Sequence, residues 1–273
     1  MKIAMFGLGI IGGTWAGNLY ADGDEVRGWN RTSKPFPFFT AQAPDAARGA
    51  ELIIIVVTDP PAVQNVLDQI LPVLQPGQIV MQSSTVSPGA TRAFAQQVGA
   101  SGALFLEAPF TGSKPAAEQR QTVFYVGGDP AVLERVRPVL ARLGRTVLHV
   151  GPIGSASVLK LAMNLNIALV AQALCESRAL ARAAGLSDDI FFAALKINAS
   201  WSGVADLKEP KLRAGDFSPQ FSLKHMAKDL RLALETGKTV PLPQTREVMK
   251  LYEEGLRRGW GDEDFVGLVR LLG

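Results

Sequence analysis

The sequence predicts an α/β protein. A doubly wound sheet domain over residues 1–152 is followed by an all-helical domain over residues 153–273, the two joined by one long interdomain helix. Three observations predict this. Up to about residue 150, short apolar runs alternate with helical stretches, the βαβ pattern of a sheet covered on both faces. Beyond residue 150 no run reads as a strand. Between these halves, residues 155–184 contain no proline or glycine and are rich in Ala and Leu, enough for a helix of about 45 Å.

Residues 2–6 read as a short buried strand, followed by Gly7-Leu8-Gly9-Ile10-Ile11-Gly12 and a helix to about residue 19. This is the G-x-G-x-x-G fingerprint of the Rossmann-type dinucleotide fold. The first glycine makes the tight turn, the second admits a pyrophosphate to the backbone, and the third lets helix and strand pack closely. Residues 7–12 are therefore candidate cofactor contacts. A second strand, 25–29, ends in Asn30-Arg31-Thr32. An NAD site presents an acid here for the ribose hydroxyls, whereas this chain presents an amide, a guanidinium and a hydroxyl. The fork of Arg31 suits a 2′-phosphate, so NADP(H) is the expected cofactor.

The continuous apolar run 52–57 is a central strand ending in Val57-Thr58, with a helix expected from about residue 60. Strand 78–82 ends in Ser83-Ser84-Thr85. Ligands of such sheets sit beyond the carboxyl ends of the strands, so Val57, Thr58 and Thr85 join the candidate contacts. Further strands are expected at 104–107, 123–126 and 146–149, and helices near 90–98 and 130–143. After strand 104–107, Thr111-Gly112-Ser113 forms a turn of hydroxyls and exposed N–H groups, a small anion nest suited to a carboxylate.

Gly151, Pro152 and Gly154 end the sheet domain, and Ser155 is expected to cap the long helix. Lys160 and Asn164 lie four residues apart and share one face of it. On an oily helix they read either as a snorkelling lysine beside a surface amide or as a functional pair. Helices follow at 188–196, 223–237, 244–258 and 264–272, with a loop-rich stretch at 200–219.

Composition narrows the function further. The chain has 273 residues, 47% hydrophobic and 19% charged, with a net charge of +3, which mildly favours anionic ligands. Arg135, Arg137, Arg142 and Arg145 cluster without interleaved aromatics and read as a solvated helix face, so no nucleic-acid partner is expected. Cys175 is the only cysteine, which excludes an intrachain disulfide, favours a reducing compartment, and reads as core. With His149 and His225 it makes no metal pattern, and no metal is expected. The N-terminal apolar run is interrupted by the glycine fingerprint rather than built as a signal peptide. The run 161–175 contains Asn164, Asn166 and Gln172 and is too short for a membrane span. A cytoplasmic protein with no membrane partner is expected.

Taken together, these residues resemble the β-hydroxyacid dehydrogenase family along nearly the whole chain. Five blocks stand in the family's order: residues 7–12, Asn30-Arg31-Thr32, residues 107–114, the Gly151…Lys160…Asn164 helix start, and Phe221…Lys228-Asp229. Within the family the sequence is most similar to the NADPH-dependent glyoxylate/succinic semialdehyde reductases. The resemblance implies that Lys160 is the catalytic lysine and Asn164 the amide beside it. It implies that Thr111, Gly112 and Ser113 hold the substrate carboxylate, that Thr85 and Lys228 contact the cofactor, and that Asp229 lies close to the lysine. Three departures stand out. Phe110 replaces a usual valine and is expected to reshape the pocket, Ala156 replaces a glycine, and the segment between Thr32 and Leu52 is short and contains Pro35-Phe36-Pro37.

The implied reaction is hydride transfer from NADPH to a small carboxylate-bearing aldehyde such as glyoxylate or succinic semialdehyde, with Lys160 as general acid. A 3-hydroxyisobutyrate-type dehydrogenase and an imine reductase are the rival enzymes. The former tends to carry an acid after the second strand and Gly-Gly after the loop hydroxyl, and the latter replaces the lysine. A cofactor-binding module without catalysis is the rival from another class, and loss of the lysine would mark it. The long apolar helix and the small helical domain point to a homo-oligomer.

Overall fold

The computed structural model describes residues 1–273 and divides into two compact units, Met1–Lys160 and Leu161–Gly273. In the first unit, β1 (Lys2–Phe6) lies between β2 (Glu25–Trp29) and β3 (Leu52–Ile55), followed by β4 (Ile79–Gln82) and β5 (Leu104–Glu107), all parallel. Beyond β5 the sheet turns mixed. Strand β7 (Thr122–Gly128) runs antiparallel to β5 and to the two-residue β6 (Phe110–Thr111), and β8 (Gly144–Gly151) pairs in parallel with β7. The helices are α1 (Ile10–Ala21), α2 (Ala43–Ala47), α3 (Pro60–Ile70), α4 (Pro88–Ala100), α5 (Lys114–Glu118) and α6 (Pro130–Leu143).

Alternation along each buried strand builds two cores, one per sheet face. Ile54 and Met81 pack with Trp15, Leu19, Leu133 and Leu140. Ile53, Ile55 and Val80 pack with Val66, Leu67 and Phe94 on the opposite face. Three helices start in the same way: Asp59, Ser87 and Asp129 each accept a backbone N–H, and a proline follows at the first helical position. Each such start turns the chain back over the sheet and leaves a strand's carboxyl end facing outward.

The short 33–51 segment covers the β2 edge. Gly28 donates its N–H to the Phe38 carbonyl at 2.8 Å and accepts from the Thr40 N–H at 2.7 Å. Phe36 and Phe38 stack at 5.1 Å with an interplanar angle of 11°. Gly28 makes this possible, because a Cβ there would sit 3.0 Å from both Leu8 and Phe38. The Phe110 ring meets Trp15 edge-on at 4.7 Å and lies 6.5 Å from Phe124, so this half-buried side chain packs against the core under α1. The arginine cluster is not one solvated face: Arg142 pairs with Asp24 at 2.7 Å, and Arg145 stands on β8.

Helix α7 (Ser155–Ala183) begins in the first unit and continues into the second, where α8 (Asp188–Lys196), α9 (Gly203–Ala214), α10 (Leu223–Thr236) and α11 (Pro243–Arg257) surround its second half. By length and composition α7 matches a membrane span. Part of its apolar surface is packed within the protein. Ala168 and Ala171 pack with Met226, Leu230 and Tyr252, and Leu174 and Cys175 pack with Phe192 and Leu212. Burial pushes the Cys175 thiol up to about 12, in keeping with a core residue. Gly185, at φ +84°, closes the helix: its N–H reaches the Arg182 carbonyl while that of Leu186 reaches Ala181.

Two expectations fail in this unit. The stretch 200–219 was expected to be loop-rich but contains α9, which is capped by Ser202 and ended by Gly215 at φ +64°, and which accommodates Pro210 inside it. Residues 264–272 were expected as an α-helix but wind as a 3-10 turn over Phe265–Leu271. The Asp264 carboxylate organises that turn, accepting from Val266 N–H at 3.1 Å and from Lys208 Nζ at 2.8 Å.

Candidate active site

In the first unit the β1–α1 turn is built around absent side chains. Gly7 has φ +96°, and a Cβ on it would lie 2.0 Å from the Val56 carbonyl oxygen. A Cβ on Gly12 would lie 2.0 Å from the Gly7 carbonyl oxygen, so α1 can pack this closely only with glycine there. Around Gly9 there is open space, and Ile10 beside it is 62% exposed. The first turn of α1 has no side-chain cap and no acidic residue. Its N–H groups and the positive end of the helix dipole therefore suit a pyrophosphate, and the cradle fits a dinucleotide. Leu8 is buried behind the turn and Ile11 is half-buried.

Asn30 ties this turn to the loop after β2. Its Oδ1 accepts the Leu8 N–H at 3.0 Å, and its Nδ2 donates to the Thr32 carbonyl at 2.9 Å and to Thr32 Oγ1 at 3.1 Å. Asn30 and Thr32 thus spend polar groups on the loop, and Arg31 between them is exposed. At the next strand ends, the Val57 N–H donates to Ser84 Oγ at 2.8 Å, Thr58 is exposed, and Thr85 is half-buried. Gln82 Oε1 and Ser83 Oγ are buried there without a protein partner. Sequence reasoning passed over Gln82 because a polar side chain ending a strand carries no signal of its own burial.

Thr111 and Ser113 are half-buried around Gly112, whose φ of +124° bends the chain. A Cβ on Gly112 would lie 2.9 Å from that of Ala116, which makes the bend a glycine position. Ser113 precedes α5 without giving its hydroxyl to a capping bond.

Lys160 and Asn164 are both buried, at 8% and 3% exposure, so the surface reading of this pair fails. They lie one turn apart on α7. Ser155, expected as the cap, is itself the first helical residue. In the second unit Asn164 Nδ2 donates to Asp229 Oδ2 at 2.6 Å, and Asp229 Oδ1 pairs with Lys228 Nζ at 2.9 Å. Two motifs 65 positions apart are thereby joined. Asp229 is 2% exposed, and its two oxygens are divided between the amide and the ammonium. His225, one turn before Asp229 on α10, stacks on Phe221 at 6.1 Å. Burial, reinforced by Lys228 and Lys224, holds its imidazole below the usual range.

Comparison with known proteins gives these features a context. Residues 2–151 match the family described as the NAD binding domain of 6-phosphogluconate dehydrogenase. Residues 154–272 match the family described as NAD-binding of NADP-dependent 3-hydroxyisobutyrate dehydrogenase. Glyoxylate/succinic semialdehyde reductase 1 of Arabidopsis thaliana is 30% identical over 284 residues, covering 100% of this chain and 98% of that one. The NAD-dependent L-serine dehydrogenase of Pseudomonas aeruginosa is also 30% identical, over 293 residues, covering 99% and 97%. Among solved structures, the 3-hydroxyisobutyrate dehydrogenase of Mycobacterium tuberculosis with L-serine superposes with a TM-score of 0.89 at 26% identity, covering 99% and 98%. No single relative stands apart. The helical half and the solved structure favour the 3-hydroxyisobutyrate type over the narrower aldehyde-acid reductase likeness.

Proposed function

Because the chain belongs to the family of NAD(P)-binding oxidoreductases that includes 6-phosphogluconate and 3-hydroxyisobutyrate dehydrogenases, we propose that it is an NADP(H)-dependent dehydrogenase of the 3-hydroxyisobutyrate type. It interconverts a short hydroxy acid and the corresponding aldehyde acid. The observation that carries this reading is the burial of Lys160 and Asn164 one turn apart on an apolar helix. An amine and an amide are buried only at a cost unless they are hydrogen-bonded or paired, and neither adds to an apolar core.

Bound nicotinamide supplies or accepts the hydride. Lys160 gives a proton to the carbonyl oxygen in reduction and takes it from the hydroxyl in oxidation. Asn164, oriented by Asp229, positions the reacting group, and Lys228 holds the cofactor side of the site. Thr111, Gly112 and Ser113 bind the substrate carboxylate through hydroxyl and N–H donors. Residues 7–12, Asn30, Arg31, Thr32, Val57, Thr58 and Thr85 form the dinucleotide site, with Arg31 on the 2′-phosphate. The reading places the enzyme in the cytoplasm as a homo-oligomer acting on small molecules, with no metal.

A second reading, reduction of glyoxylate or succinic semialdehyde, is favoured by the Gly112-Ser113 pair and by the absence of an acid after β2. One substrate panel separates the two. NADP+ reduction with 3-hydroxyisobutyrate is compared with NADPH oxidation with glyoxylate and with succinic semialdehyde. The higher kcat/KM identifies the substrate class, and no turnover with any of the three overturns both readings.

A further inference from the structure

Glu107, the last residue of β5, is fully buried, and its carboxylate is surrounded by donors from the start of α7. Oε1 accepts the N–H of Gly154 at 2.5 Å and that of Ala156 at 3.0 Å. Oε2 accepts the Ser157 N–H at 3.0 Å and the Ser157 hydroxyl at 2.5 Å. A helix leaves its first N–H groups without intrahelical partners, and its amino end is electropositive. An acid from 47–50 residues upstream therefore does what a local cap ordinarily does. The surroundings are shaped for it. A Cβ on Gly127 would lie 2.3 Å from Glu107 Oε1, so only glycine fits opposite the carboxylate. Gly154, at φ +101°, provides the bend that begins the helix. Ser157 Oγ lies 2.8 Å from Thr91 Oγ on α4, which extends the network to a third element.

Position along the chain turns this cap into a strut. Ser157 lies one turn before Lys160, and Thr111 follows Glu107 by four residues. We infer that Glu107 is a positioning residue for the reaction, fixing the proton-donating Lys160 relative to the carboxylate-binding loop of residues 111–113. The inference rests on the proposed function. Glu107 is sealed from solvent and acts only through the residues it holds.

A double-mutant cycle tests it. Glu107→Gln turns an amide N–H toward groups that are themselves donors, and should lower kcat by about 10-fold or more, the scale of a small misplacement of reacting groups. The Kd for NADPH should stay within about 2-fold, since the mutated network does not include the cradle. In a Lys160→Ala background the same substitution should change kcat by less than about 2-fold, because residues acting through one group are not additive. An equal fold-loss in both backgrounds overturns the inference while leaving Lys160 in its role. Near-normal turnover by Lys160→Ala alone overturns the proposed role of Lys160, and this inference with it. Ser157→Ala removes one donor of the four and keeps the backbone bonds, so it repeats the cycle if Glu107→Gln does not fold. It should cost about 3-fold in the wild-type background and nothing in Lys160→Ala.

Discussion

Arg31 is the proposed reader of the 2′-phosphate. Asn30 and Thr32 bond within the loop, and the guanidinium between them is exposed. Arg31→Asp should therefore raise KM for NADPH by at least about 10-fold while changing KM for NADH far less, because it removes a charge-assisted contact and adds repulsion. Equal losses with both cofactors, measured by initial rates, would show that Arg31 does not read the 2′-phosphate. Residues whose chemistry is local were legible in the sequence. Gly7 and Gly12 sit in a spaced fingerprint, and Lys160 with Asn164 stands out on an apolar helix. Glu107 was not legible as a cap, because its partners lie 47–50 residues away. The contact of Phe110 with Trp15 was not legible either, because β6 and α1 lie far apart along the chain.

At the scale of elements, the helix starts at Pro60 and Pro130 were legible in the sequence, whereas the helix expected near 90–98 begins earlier, at Pro88 after the Ser87 cap. Helix α9 was not legible, because Pro210 lies within it and buried charges hold it in place. Lys208 on α9 pairs with Asp264 at 2.8 Å, and both side chains are fully buried. Lys208→Met strands a buried carboxylate and should cost about 3–5 kcal/mol in urea denaturation at pH 7. A loss below about 1 kcal/mol would show that Asp264 finds other partners. Helix α7 is tied to α8 by Arg178, whose Nε and Nη2 hydrogen bonds hold the Asp188 carboxyl below its ordinary range. An acid whose folded value is depressed contributes its stability in full above its unfolded pKa of about 4, and loses it as pH falls through the folded value. Asp188→Asn should therefore destabilise the protein at pH 7 and flatten its loss of stability below about pH 4. An unchanged acid limb in thermal melts would assign that limb to other carboxylates.

For the whole molecule, the two-part architecture followed from sequence because strand and helix periodicities are local. The antiparallel turn of β7 against β5 did not, since strand direction depends on partners far along the chain. The helical unit exposes Leu180, Ile190 and Ile197, the last at 90%. Burial of such side chains against a second copy predicts a mass in light scattering that is a multiple of 29.2 kDa, and a strict monomer would contradict it. Substrate recognition is also a property of the whole. In the proposed site, the donors of residues 111–113 would lack an anion if the substrate were uncharged, so butanal should fall well below succinic semialdehyde in kcat/KM. Thr111→Val with Ser113→Ala should erase much of that preference. A double variant that keeps the preference would move the carboxylate site elsewhere.

In the proposed reaction a buried lysine moves the proton while the nicotinamide exchanges hydride with a small hydroxy acid. It is tested most directly by comparing wild type with Lys160→Ala on the best substrate of the panel, with NADPH binding followed separately by fluorescence. The expected result is a kcat lower by about 10²-fold or more, the usual scale of general acid catalysis, with a Kd for NADPH close to that of wild type. A Lys160→Ala variant that folds, binds NADPH and turns over within a few-fold of wild type would contradict it.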